Sequence, residues 1–146
     1  MRTVDLDERT TMGALDVQEC LVLLRWEPIG RLAVGIRGQS PLVVPVNICV
    51  HEDTVVFRSD DGAKLDLIRE QPVSLQADRF DWFRRIGWSV LVRGVAHEVS
   101  ADDIADVDLQ PWAPGRKAHW MRIVPTAITG RRLELTEGPL DNRGYA

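Results

Sequence analysis

Two short stretches of this 146-residue chain bring together residue types able to do chemistry. In Phe57-Arg58-Ser59-Asp60-Asp61-Gly62-Ala63-Lys64-Leu65, a strand ends in Arg-Ser, a glycine-containing turn follows and a helix begins near Lys64. Such a turn can hold a phosphate. Backbone N–H groups at the turn and helix start point outward, the helix dipole favours an anion, and Arg58 and Lys64 add fixed positive charge. Arg58 can grip two oxygens at once, whereas Lys64 acts as a point charge. A solvated turn with ordinary surface charges has the same composition, so residue types alone leave both readings open. The second stretch is Gly87-Trp88-Ser89-Val90-Leu91-Val92-Arg93-Gly94. A Trp-Ser pair opening a buried strand sets an aromatic edge and a hydroxyl at the rim of a planar ligand site, or else is a core tryptophan at a strand start. Trp82, Trp88, Trp112 and Trp120 put four of the five tryptophans in the second half, and aromatics gather both at interfaces and around flat ligands.

Other catalytic signatures are missing. The sequence has no G-x-S-x-G elbow, no Walker loop and no dinucleotide fingerprint. His51, His97 and His119 lack a Cys or His neighbour at metal-ligand spacing, so no metal site is expected.

The elements that must position these stretches are mostly strands. Asp16 and Glu19 have capping-box spacing ahead of a helix through about Arg25, whose stripe is Val17, Cys20, Leu21, Leu23 and Leu24. The period then changes to two. Strands are expected over 31–37, 42–50, 54–58, 73–78, 88–100, 119–124 and 128–135. Pro45 predicts an interruption of pairing in the second of these, and Gly94 a bulge in the fifth. A short helix is expected over 62–71 and an acidic one over 101–108. Six or seven short strands with small inserted helices predict a closed β-barrel. Residues 1–14 read as a flexible arm, 15–135 as the barrel and 136–146 as a tail.

Composition fits one ordinary globular domain, with 45% hydrophobic and 27% charged residues. A net charge of -4 argues against general nucleic-acid binding, which draws its affinity from neutralised phosphates. No apolar run approaches the roughly 18–20 residues that span a bilayer. Cys20 and Cys49 lie in apolar runs and make no disulfide framework; with no signal-like start, a cytoplasmic protein is expected.

Taken in order, these segments resemble the flavin-binding split-barrel family typified by pyridoxamine 5'-phosphate oxidase, and its short actinobacterial-type members most of all. The resemblance rests on the capped helix, Gly30-Arg31-Leu32-Ala33-Val34, Pro45-Val46-Asn47, Phe57-Arg58-Ser59 with Gly62 and Lys64, and Gly87 to Gly94, from about residue 15 to 135. It implies a mainly β, six- to seven-stranded split barrel with short peripheral helices, working as a homodimer with FMN at the subunit interface. By that resemblance Phe57, Arg58, Ser59 and Lys64 hold the flavin phosphate, and Val46 and Asn47 run beside the ring. Trp88 and Ser89 lie near the ring or ribityl chain, and Trp120, with Trp112 and Arg122, belongs to the second chain's share. The implied activity is hydride or electron transfer to a small molecule, with no residue needed as acid or base. A deazaflavin in place of FMN, and a non-catalytic flavin or haem carrier, are the alternatives on the same fold. The arginine–histidine pair that the biosynthetic oxidase carries near its C-terminus is absent from Ile128-Thr129-Gly130-Arg131-Arg132-Leu133, so oxidation of pyridoxamine phosphate is not expected.

Overall fold

The computed structural model describes residues 10–115 and 117–135. Its elements are β1 (Thr10–Leu15), α1 (Val17–Arg25), β2 (Ile29–Val34), β3 (Leu42–Asn47), β4 (Cys49–His51), β5 (Thr54–Ser59), α2 (Ala63–Ile68), β6 (Pro72–Asp81), β7 (Ile86–Val99), one 3-10 turn (Ala101–Ile104) and β8 (His119–Leu135). The strands form one antiparallel sheet ordered β3-β2-β6-β7-β8-β5-β4, with β1 added beside the far half of β8. The sheet curls without closing, the mainly β split-barrel form.

Local chemistry explains the elements. Asp16 accepts the Glu19 N–H at 2.8 Å, a side-chain cap that starts α1, and Cys20, Leu21 and Leu24 bury its inner stripe. Along β2, Leu32 and Val34 alternate into a core that also takes Val55, Phe57, Leu75, Val90, Val92, Met121 and Ile123. Both cysteines are free thiols, and burial pushes each above the ordinary thiol range.

Several expectations are corrected. Residues 10–14 of the expected arm are a strand, pairing from Thr10 opposite Leu135 to Leu15 opposite Gly130; residues 1–9 and the expected tail 136–146 lie outside the described residues. The strands expected over 119–124 and 128–135 are one strand, β8, and the one expected over 42–50 is two, β3 and β4; the expected six or seven strands are the seven from β3 to β4, to which β1 is added beside β8. The break expected within β8 is a bulge. Gly94 faces Pro125 and Arg93 faces Ala127, leaving Thr126 unpaired, with its hydroxyl donating to the Arg93 carbonyl at 3.1 Å. Gly94 is required there, since a Cβ would stand 2.1 Å from the Val124 carbonyl oxygen. Pro45 keeps its place opposite Arg31, because β3 is an edge strand whose missing donor faces no neighbour; the break falls at Ile48 instead. The helix expected over 62–71 stops at Ile68, as Glu70 turns left-handed (φ 58°) and donates its N–H to the Ala96 carbonyl. The acidic helix shrinks to its 3-10 turn.

The outer face of the sheet has two unlike halves. Around β4, β5 and the first half of β8, the segment after β7 folds back over the sheet. There Val56, Ile104 and Leu109 are buried apart from the main core. Across β3, β2, β6, the first half of β7 and the second half of β8, no described element covers the sheet. Val43, Arg31, Arg93, Ala127 and Arg131 are exposed on this half, which the register places on one side.

Candidate anion turn and the sheet faces around it

The turn at 59–64 is built by neutralising its own acids. Asp60 accepts the Lys117 N–H at 2.6 Å and the Lys117 ammonium at 2.8 Å, and these bonds hold its carboxyl below the usual carboxylate range. Gly115 packs against the same carboxylate, where a Cβ would come within 2.8 Å. Asp61 bonds His119 Nε2, and His119 Nδ1 bonds Glu98 at 3.0 Å. Glu98 first, and Asp61 after it, raise the His119 pKa, so the imidazolium form is favoured. Glu98 is held low by His119 and by Arg69, which donates to it at 2.6 Å. Gly62 opens α2 at φ 130°, a conformation that favours glycine.

Lys64 stands apart from these pairs. It is half-buried, and none of the described carboxylates lies in ion-pair range of its ammonium. Burial pushes its pKa down, the nearby Lys117 charge adds to that, and Asp60 partly offsets both. A desolvated ammonium beside a second cation gains from any anion that arrives.

The other expected site residues are distributed as follows. Arg58 donates to the Lys117 carbonyl at 3.0 Å and the Leu109 carbonyl at 3.1 Å, with its guanidinium 4.6 Å from the Trp120 ring centroid. It ties down the covering segment, and only its remaining N–H groups are free for an anion. Ser59 is buried and donates to the Asp60 carbonyl at 3.1 Å. Phe57 is fully buried, so only its backbone can touch a ligand. Val46 packs on the core, while Asn47 accepts the Trp112 N–H at 2.8 Å and donates to the Pro28 carbonyl at 3.2 Å. Thus Asn47, Arg58, Ser59, Lys64 and Trp120 gather around the covering segment.

Trp88 and Ser89 do not join them. As neighbours on β7 they point to opposite faces. Ser89 lies on the open outer face and accepts the Gln76 amide at 3.1 Å, and that amide also donates to Asp78 at 2.8 Å. Trp88 turns inward against the core and borders a cleft of about 400 Å³ with Arg79, Arg132 and Leu133. Between His119, opposite Ser59, and Arg131, opposite Ser89, β8 runs twelve residues, roughly 40 Å of strand at about 3.3 Å per residue.

Sequence reasoning missed the tethers Asp60–Lys117 and Asp61–His119. It also missed the chain Arg122–His51–Asp106 on the covered face. There the Arg122 guanidinium donates to His51 Nδ1 at 3.1 Å and His51 Nε2 donates to Asp106 at 3.0 Å, which fixes the imidazole proton on Nε2. Alternating acids and bases flanking the turn were the available signal, but partners 55 to 71 residues apart leave no local pattern. Among the described residues no group of three or more metal-ligating side chains converges, and no helix is long and apolar enough to cross a membrane.

The chain belongs to the pyridoxamine 5'-phosphate oxidase family, whose profile matches residues 16–132. An uncharacterized protein of Mycobacterium tuberculosis is 34% identical over 82% of this chain and 84% of its own length. Among solved structures, a candidate pyridoxamine 5'-phosphate oxidase of Corynebacterium glutamicum is 34% identical with a TM-score of 0.72, covering 87% of this chain and 96% of that one. The FAD binding protein of Mycobacterium smegmatis is 33% identical with a TM-score of 0.67, covering 84% and 98%.

Proposed function

We propose that the protein is a homodimeric flavin-dependent oxidoreductase that binds FMN by its phosphoryl end at the 59–64 turn and acts on a small molecule. The observation that carries this reading is the charge balance of the turn. Asp60 and Asp61 are each matched by a cation, so the half-buried Lys64 is left with a charge to spend on an anion. Family membership and the FAD-binding relative support a flavin as the owner of that anion.

The donor set fits the group. Lys64 would hold the phosphate as a point charge, the free N–H groups of Arg58 would reach the same oxygens, and the Ser59 backbone would line the turn. Trp120, stacked under Arg58, keeps that guanidinium from swinging away. The Val46–Asn47 backbone, fixed by the Trp112 bond, offers a flat edge for a ring. When bound, a flavin supplies hydride or electron transfer; the protein orients it and excludes water. No side chain is needed as a general acid or base.

The dimer reading rests on placement and exposure. Lys64 follows Ser59, which lies opposite the start of β8, whereas Ser89 faces Arg131 on the open face beside its far half, so a site using both would draw them from two chains. The uncovered outer face, with Val43 at 58% exposure beside Pro45 and the half-buried Leu91, is the surface that pairing would bury.

An absorption spectrum of the purified protein, followed by titration with FMN, FAD and a deazaflavin, tests the reading. A flavin spectrum, or micromolar affinity for FMN that is lost in K64A, is the expected result. No affinity for any of the three removes the proposal. FAD is the second reading, favoured by the Mycobacterium smegmatis relative, and tighter binding of FAD than of FMN would select it.

A further inference from the structure

The β6–β7 hairpin ends in Asp81-Trp82-Phe83-Arg84-Arg85, and its aromatics are the most exposed large apolar side chains described, Trp82 at 90% and Phe83 at 100%. The tip is nevertheless firmly built. Asp81 accepts the N–H groups of Phe83 at 2.9 Å and Arg84 at 3.0 Å through its side chain, and that of Arg85 at 2.7 Å through its carbonyl. A turn backbone held by three hydrogen bonds loses little freedom on docking, and Trp and Arg are the residues that dominate interface energetics. Phe80, at the base of the tip, lies on the uncovered sheet face opposite Gly87, so the tip continues that face.

We propose that this tip is the piece each protomer lends to the other's cofactor site, a statement that rests on the flavin-dimer reading above. Its seat is the covering segment, which carries the exposed Asp102, Asp103 and Asp108 and, further along, Trp112, itself 68% exposed. Those aspartates complement Arg84 and Arg85 in charge, and Trp112 meets Trp82 and Phe83 in kind. Trp112 is also bonded to Asn47, which places this seat at the ring end of the candidate site. The tip cannot serve the anion turn of its own chain in the same way. Gly87 faces Leu133 while Ser59 faces His119, fourteen residues apart on β8 or roughly 46 Å of strand at about 3.3 Å per residue. A two-fold pair that seats one tip on the other chain's covering segment seats both.

Intersubunit complementation tests this with FMN as the probe. The variants K64A and W82A/F83A, the latter removing only exposed side chains, should each bind FMN roughly tenfold or more weakly as homodimers. A heterodimer of one chain of each, isolated through two different affinity tags, has both lesions in one site and neither in the other. It should bind one FMN with wild-type affinity. The proposal is overturned if that heterodimer has no wild-type site, which would put the tip on its own chain, or if homodimeric W82A/F83A binds FMN normally. A monomeric wild-type protein whose tip instead binds phosphatidylglycerol vesicles would also overturn it. The first two results leave the flavin-dimer reading standing and the third leaves only flavin binding, whereas wild-type protein without affinity for FMN fails both readings.

Discussion

The two halves of the outer sheet face are made of the same strands and treat their surface in opposite ways. On the covered half, β5 is sandwiched, with Val55, Val56 and Phe57 all fully buried in succession. The segment above is fastened by Arg58 to two carbonyls, by His51 to Asp106 and by Lys117 to Asp60. On the open half, apolar and charged side chains alternate in solvent with only light ties such as Gln76 to Asp78 and Ser89. A face sealed within the chain fixes a site's geometry before any ligand or partner arrives. A face left open is where a partner can still contribute. The difference teaches that fastening within the chain is confined to one region of the sheet, and that the other is left without described cover.

The largest break in this contrast is expected from Ile104→Ala, which empties the covered half. It should lower unfolding free energy by about 2–4 kcal/mol in chemical denaturation, the range for large-to-small changes in a packed core. Lys64→Ala should leave stability nearly unchanged and weaken FMN binding by about 1.5–3 kcal/mol, read by fluorescence titration, as for loss of a charged hydrogen bond. Arg58→Lys keeps the charge but loses the fork that holds two carbonyls, at a cost of about 1 kcal/mol. Hydrogen exchange should quicken at Leu109 and Lys117.

The fourth prediction concerns pH. His119 has a raised folded-state pKa, so its contribution is fully present below the ordinary value of 6.5 and is lost as pH rises through the folded value. Glu98 has a lowered one, so its share is present above 4.5 and is lost as pH falls through the folded value. Tm should therefore sag on the alkaline side of 6.5 in the wild type and do so less in His119→Gln. A Tm profile indifferent to this substitution would show that the Asp61 tether carries no load. The smallest effect belongs to the open half: Val43→Ala should change monomer stability by less than about 0.5 kcal/mol, while weakening self-association in analytical ultracentrifugation.

Much of the barrel was legible because its cues are local. The cap at Asp16, the alternation of β2 and the bulge at Gly94 each declare themselves within a few residues. The candidate anion turn was legible as a charge pattern, with Arg58 and Ser59 ending β5 and Lys64 in the first turn of α2. What the sequence hid was facing and reach. Trp88 and Ser89 read as one motif but are split by the two-residue period of the strand, and Arg58 looked free because its acceptors, Leu109 and Lys117, lie 51 and 59 residues away. β1 was hidden for a different reason: Thr10–Leu15 carries little apolar alternation, and it is held by the backbone of β8.

The unpaired Thr126 sets the parity of β8. Before it, the inward positions carry odd numbers, Met121 and Ile123; beyond it they carry even ones, Ile128 and Gly130. Removing Thr126 itself would leave both halves facing as they do, since Gly94 and Arg93 already face Pro125 and Ala127, whereas one further residue inserted there would have to be taken up in a wider bulge or turn one half over, swapping lining for surface. The bulge is thus where this strand can absorb a change of length: a residue lost there closes the ladder, and one gained there must be looped out to keep each half on its own face.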